Sequence, residues 1–134
     1  MVEHYIDEGT GLPATQLRLH VFGGRVELIA FTPRGSPDAR YFRPADVTER
    51  WPNVRGSDSD AQDLDPPAHI ATMIEYAEAM GKGFDFIRVD LYDTPDKIYF
   101  GELTPTPGAG MTPFGSRKID LCLGRLWPRR KRTK

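Results

Sequence analysis

Cysteine occurs once in this 134-residue chain, as Cys122, which excludes an internal disulfide and any cysteine-based zinc site. Histidine is nearly as scarce. His4, His20 and His69 fall in separate segments without ligand spacing, so structural or surface roles are expected of them. No apolar run approaches the ~20 residues that a membrane span requires. The opening MVEHYIDE is acidic where a secretory signal is basic and then apolar, so a cytoplasmic location is expected. Net charge is also lacking: at −1, nothing global attracts nucleic acid or an anionic membrane, and cations matter only where they cluster. The one dense cluster, Arg129, Arg130, Lys131, Arg132 and Lys134, has no interleaved aromatics; residues 128–134 are expected to be a solvated, disordered tail, and nucleic acid is not an expected partner.

With 39% hydrophobic and 28% charged residues, the composition is that of an ordinary globular protein, and 13 Gly with 12 Pro imply many turns. A chain of this length buries about two-thirds of its unfolded surface on folding, enough for one core.

Residues 16–31, QLRLHVFGGRVELIAF, read as a hairpin: Leu17, Leu19 and Val21 alternate with Arg18, His20 and Phe22 up to Gly23-Gly24, and Val26, Leu28 and Ala30 resume the alternation beyond it. One face is therefore expected to meet the core, with Arg18 and Glu27 on the other. Residues 32–67 are rich in Pro, Gly, Asp and Arg without clear period. This reads as an excursion of loops, tethered by Tyr41, Phe42 and Trp51. Asp65 is placed to open a helix, with Pro66 and Pro67 in its first turn, Ile70, Met73, Ile74, Ala77 and Met80 as a core stripe, and Gly81 as its end. Cys122 falls in a second apolar pattern with Ile119, Leu123 and Leu126, which predicts a short helix over residues 117–127 and a buried thiol.

A second hairpin, FIRVDLY and IYFGEL joined by DTPDK, carries the chemistry. Ile87, Val89 and Leu91 form a greasy face for the preceding helix, and Arg88, Asp90 and Tyr92 the opposite one. A turn centred near Pro95 sets Tyr92 against Ile98, Asp90 against Phe100 and Arg88 against Glu102. Asp90 and Glu102 are then diagonal neighbours ~7–8 Å apart at the backbone, whose side chains can converge on one ion. Oxygen donors without His or Cys suit Mg²⁺, which keeps positions for water or phosphate. A one-residue slip would turn Glu102 to the other face and abolish the site. The plainer alternative is a solvated hairpin in which Glu102 pairs with Arg88, and pattern alone does not separate the two. Thr104, beside Glu102, and a loop carrying Pro105, Pro107, Gly108 and Gly110, shaped for close approach to phosphates, favour the site.

The stretch FDFIRVDLYDTPDKIYFGELTPTPGAGMTPF, followed by LGRLW, closely resembles the C-terminal signature of ATP-grasp proteins of the teichuronopeptide-biosynthesis (TupA-like) type. The resemblance implies that Asp90, Glu102 and Thr104 hold magnesium, Thr104 standing where the wider superfamily carries Asn. Val2-Glu3-His4-Tyr5-Ile6 resembles the linker that contacts adenine, with His4 in place of a second acid, which implies nucleotide binding by Glu3, His4, Tyr5 and Ile6. Residues 16–29, QLRLHVFGGRVELI, resemble the strand pair that follows this linker, which implies a catalytic and cofactor-binding role for Arg18, where a basic residue faces the phosphates; an ordinary exposed strand cation is the plainer alternative. The implied fold is α+β, antiparallel hairpins packed on a central helix, with residues 1–127 as the C-terminal part of an ATP-grasp domain. The implied chemistry is ATP-dependent ligation of a carboxylate and an amine through an acyl phosphate, in the making of cell-surface polysaccharide or peptide-linked polymer. The lysines and lid expected before Glu3 are missing from this sequence. Two alternatives therefore stand: a ligase-type protein completed by an N-terminal half or by a homo-oligomer, and a non-catalytic remnant or binding module.

Overall fold

The computed structural model describes residues 14–32, 40–44, 46–50, 67–111 and 117–128. Its centre is a six-stranded, wholly antiparallel sheet: β1 (Thr15–Phe22), β2 (Arg25–Thr32), β3 (Arg40–Arg43), β4 (Asp46–Arg50), β5 (Phe86–Asp93) and β6 (Ile98–Thr104), in the order β4-β3-β2-β1-β5-β6. Helix α1 (Ile70–Gly81) covers one face and the short α2 (Arg117–Arg125) touches the other. This is the α+β arrangement of hairpins and central helix that the sequence predicts.

Period-two alternation explains the core on the α1 side. Leu17, Leu19 and Val21 of β1 and Ile87, Val89 and Leu91 of β5 point the same way, and Met73 and Ala77 of α1 close over them. Leu17, Leu19, Met73, Ala77 and Val89 have no solvent exposure at all, and each buried Leu, Val or Met contributes about 1.5–3 kcal/mol. Tertiary contact, rather than capping, holds α1. It has no side-chain cap, no acid in its first turn and no base in its last. His69 Nδ1 lies 2.6 Å from Asp93 Oδ1, which ties the start of α1 to the end of β5, and Glu78 accepts a 3.0 Å bond from the Val26 N–H. Gly81 lets the helix approach closely: a Cβ there would lie 2.5 Å from Val21 Cγ1.

Several expectations are corrected. α1 begins at Ile70, with Pro67 accepting the Ile70 N–H in a preceding turn; Gly81 is the helix's last residue rather than its stop. Asp65, Pro66 and Trp51 lie outside the described residues. The excursion after Thr32 is not loop throughout, because β3 and β4 extend the sheet, and Tyr41 is buried as the expected tether. In the first hairpin the register shifts between His20 and Val21: Val21 faces Val26 but His20 faces Leu28. The extra residue in β2 sends Leu28 and Ala30 to the face opposite Val26. There they pack with Phe22, Tyr41 and Leu123 as a second small core. Cys122 is exposed, not buried. α2 meets the sheet through Leu123, with Leu126 just beyond the helix packed partly against the same core, and the position before Leu123 points away at 100° per residue.

Candidate functional site

Strand register sets functional side chains in rows on the face that α1 leaves open. Asp90 of β5 lies directly between Arg18 of β1 and Glu102 of β6; in the next row Arg88 lies between His20 and Thr104. The convergence of Asp90 and Glu102 on one face holds, but by a different route from the one expected. Thr94 and Lys97 close the turn by mutual bonds, Thr94 N–H to Lys97 O at 3.1 Å and Thr94 Oγ1 to the same oxygen at 2.8 Å, so Asp93 faces Ile98 and Tyr92 faces Tyr99. That is a one-residue slip relative to the predicted pairing, and alone it would send Glu102 to the α1 side. A bulge between Asp90 and Leu91, with Gly101 as the extra residue, restores the face and makes Asp90 and Glu102 direct opposites instead of diagonal neighbours.

The two carboxylates differ in setting. Asp90 is 2% exposed, whereas the Glu102 side chain is 58% exposed: one is the floor of the site and the other its rim. Between them lies the Arg88 guanidinium. Its Nε donates to Asp90 Oδ1 at 2.7 Å, and its Nη2 reaches Asp90 Oδ2 at 2.8 Å, Glu102 Oε1 at 2.5 Å and Thr104 Oγ1 at 3.3 Å. Thr104 also donates to Glu102 Oε1 at 2.8 Å. Sequence reasoning cast Arg88 only as the partner of Glu102 in the plainer alternative, although its alternation with Asp90 already placed it on this face. Arg18 donates to Gln16 Oε1 at 3.2 Å, and Gln16 in turn to Tyr92 at 3.2 Å.

Burial and charge push the acids apart. The Asp90 carboxyl is raised from its ordinary 3.8, chiefly because burial disfavours its charge; the hydrogen bonds and charge of Arg88 oppose this, and the Glu102 charge adds to it. Glu102 is lowered, first by the Thr104 hydroxyl and also by the charge and hydrogen bond of Arg88. His20, expected to be a structural or surface residue, is buried and pushed down to about 4, by burial first and then by the charge of Arg88, so it is neutral at pH 7. Two guanidiniums, Arg18 and Arg88, and two carboxylates, Asp90 and Glu102, then leave the cluster formally neutral.

Beside this cluster a cavity of about 690 Å³ opens between the sheet face, α2 and the 105–111 loop, with Arg18, Arg88 and His20 on its floor. That is the size of a small-molecule site. Gly108 and Gly110 stand on its rim with φ of 59° and 71°, left-handed values that glycine adopts without strain; Ala109 between them has φ 54°. Trp127 and Phe86 stack at 4.9 Å along another wall.

The fit to a cation can be read from the donor set. A single cationic nitrogen, Arg88 Nη2, touches oxygens of all three residues from which the sequence predicts metal ligation. These are hard oxygens, the donor type that Mg²⁺ takes, but Arg88 occupies their meeting point and makes the pair with Glu102 that the plainer alternative predicts. Among the described residues no group of three or more His, Cys, Asp or Glu could hold a metal, so the set is two carboxylates and a hydroxyl.

The family model for TupA-like ATP-grasp proteins matches residues 1–127. The chain belongs to the TupA-like ATP-grasp family. No curated protein and no solved structure matches it. Membership makes it an ATP-grasp-type protein, in a family that generally uses ATP and Mg²⁺. Glu3, His4, Tyr5 and Ile6, which the resemblance assigns to an adenine-contacting linker, and the basic tail beyond Pro128 lie outside the described residues. Among the described residues no helix is long and apolar enough to cross a membrane.

Proposed function

We propose that this TupA-like ATP-grasp chain binds Mg-ATP on the open face of its sheet, with Asp90, Glu102 and Thr104 holding the metal and Arg18 turned to the phosphates. The observation that supports this reading is the pairing of Asp90 directly opposite Glu102 on the open face, in a chain whose family generally uses ATP and Mg²⁺. Held by Asp90, Glu102 and Thr104, Mg²⁺ would supply positive charge to offset the charge that develops in phosphoryl transfer. Asp90, fixed by its strand and nearly closed to water, orients; Glu102, on the rim, can follow the ligand. Arg18, in register with Asp90, supplies a cation to the same row, and neutral His20 adds no charge to the floor. Glu3, His4, Tyr5 and Ile6 complete the nucleotide site at the adenine.

The chemistry that fits is ligation of a carboxylate to an amine through an acyl phosphate, in the assembly of a cell-surface polymer from the cytoplasmic side. Occupation of the oxygen cluster by Arg88 favours a second reading, a module that binds without turning over.

Calorimetric titration with Mg-ATP tests the site. Asp90→Asn and Glu102→Gln are each expected to weaken binding by at least about tenfold, a loss of about 1.4 kcal/mol. Asp90→Asn is expected to cost about 1–3 kcal/mol of stability, because its amide nitrogen meets an Arg88 N–H where a carboxylate oxygen accepted. Equal affinity in wild type and both variants would remove the carboxylates from the site. Measured ATP turnover would exclude the binding-module reading.

A further inference from the structure

Arg88 is bound to the same oxygens that the proposed magnesium requires. Its Nη2 touches Asp90 Oδ2, Glu102 Oε1 and Thr104 Oγ1, and its Nε takes the remaining Asp90 oxygen. A divalent ion ligated by both carboxylates would meet a guanidinium in its own coordination space, and like charges at that distance repel strongly. One of the two has to leave. Asp90 is anchored in the sheet and cannot follow a departing partner, but Arg88 has somewhere to go: its side chain already lines the adjoining cavity on the same face.

Resting on the metal-site reading above, we propose that Arg88 is a positioning residue that holds the metal site in shape when no metal is bound. A divalent ion entering between Asp90 and Glu102 exchanges with it and moves the guanidinium into the cavity. Without a cation between them, buried Asp90 and its direct opposite Glu102 would repel, and exposed Glu102 would swing to solvent. Arg88 therefore preorganises the ligands and also competes with the ion they await. The released guanidinium turns the cavity floor more cationic, so the cavity would take an oxyanion, a phosphate or a carboxylate. Metal and anion each then favour the binding of the other, by the reciprocity of linked sites. The metal alone should bind weakly, and more tightly once an anion holds Arg88 aside.

Mn²⁺, followed by the loss of its free paramagnetic signal, is the probe. Arg88→Gln removes the competing charge and is expected to bind Mn²⁺ at least about tenfold more tightly than wild type, whereas a merely structural arginine would leave affinity unchanged or lower it. A second measurement uses wild type alone and does not depend on a variant's folding. The Arg88 Nε proton, bonded to a buried carboxylate, should exchange slowly without metal, and its resonance should move and lose protection as Mg²⁺ saturates the site. Mn²⁺ bound equally by both proteins, with an unmoved Nε resonance, would overturn the exchange and leave the metal site standing. No Mn²⁺ bound by either protein, with or without ATP, would overturn both.

Discussion

Arg88→Ala is expected to lower stability at pH 7 by about 3 kcal/mol, the lower end of the cost of removing one partner from a buried ion pair. Asp90 has a side-chain exposure of 3% and Arg88 one of 16%, so solvent screens their pair little. The wild-type Asp90 carboxyl is already raised by burial in spite of Arg88. Without the guanidinium, burial and the Glu102 charge would act unopposed by it and push the carboxyl higher still. The folded state then binds more protons than the unfolded state between the ordinary 3.8 and the raised value, so stability falls as pH rises through that window. The deficit of the variant should therefore be largest at pH 7 and shrink on acidification toward pH 4. Urea unfolding of both proteins across this range measures it. A deficit that is constant with pH would mean that lost packing, not a stranded carboxylate, accounts for the change.

Gly101→Val is expected to have the largest effect on the site itself. Gly101 is the extra residue of the β5–β6 bulge, and a Cβ there would lie 2.9 Å from Tyr92 Cε2 and 3.0 Å from the Asp90 carbonyl oxygen. The carbonyl belongs to the sheet backbone and cannot step aside as a flexible side chain would. Relief requires the strands to part or the bulge to be squeezed out, and the second outcome carries Glu102 to the α1 face, away from Asp90. Overpacking of this kind costs about 1–3 kcal/mol. Mg-ATP affinity is expected to fall by at least about a hundredfold while the amide pattern of β1 and β2 survives. Loss of the cross-strand contact between Asp90 and Glu102 by nuclear Overhauser measurement would locate the cause, whereas retained contact with retained affinity would show that the bulge tolerates a side chain.

Much of the fold could be read from alternation. Leu17, Leu19 and Val21, and Ile87, Val89 and Leu91, declared their shared face, and the Met73 and Ala77 stripe declared what covers it. Bulges were not legible, because an inserted residue leaves the composition of a strand unchanged and only reverses the faces beyond it. Val26 and Leu28 therefore looked like one face and are two. The site survived such an error only because the slip at the Thr94 to Lys97 turn and the bulge at Gly101 cancel, and a glycine inside a strand was the one visible hint. Strands β3 and β4 were missed because Arg40–Arg43 and Asp46–Arg50 are short and charged, as edge strands often are. Cys122 was misplaced because Leu123, one position on, is the residue that turns to the sheet, and a helix turns 100° between neighbours. Acid residues at candidate ligand positions could be named from the sequence, but the difference in burial between Asp90 and Glu102 follows from sheet order: β5 is interior and β6 is last in the order.

The decisive measurement is an anomalous-scattering map from crystals grown with Mn²⁺ and a non-hydrolysable ATP analogue. A single strong peak between the Asp90 and Glu102 carboxylates, with oxygens of both at about 2.1 Å as for a small hard cation, is the predicted result. A guanidinium still seated between those carboxylates, with the manganese elsewhere on the nucleotide or absent, would contradict it.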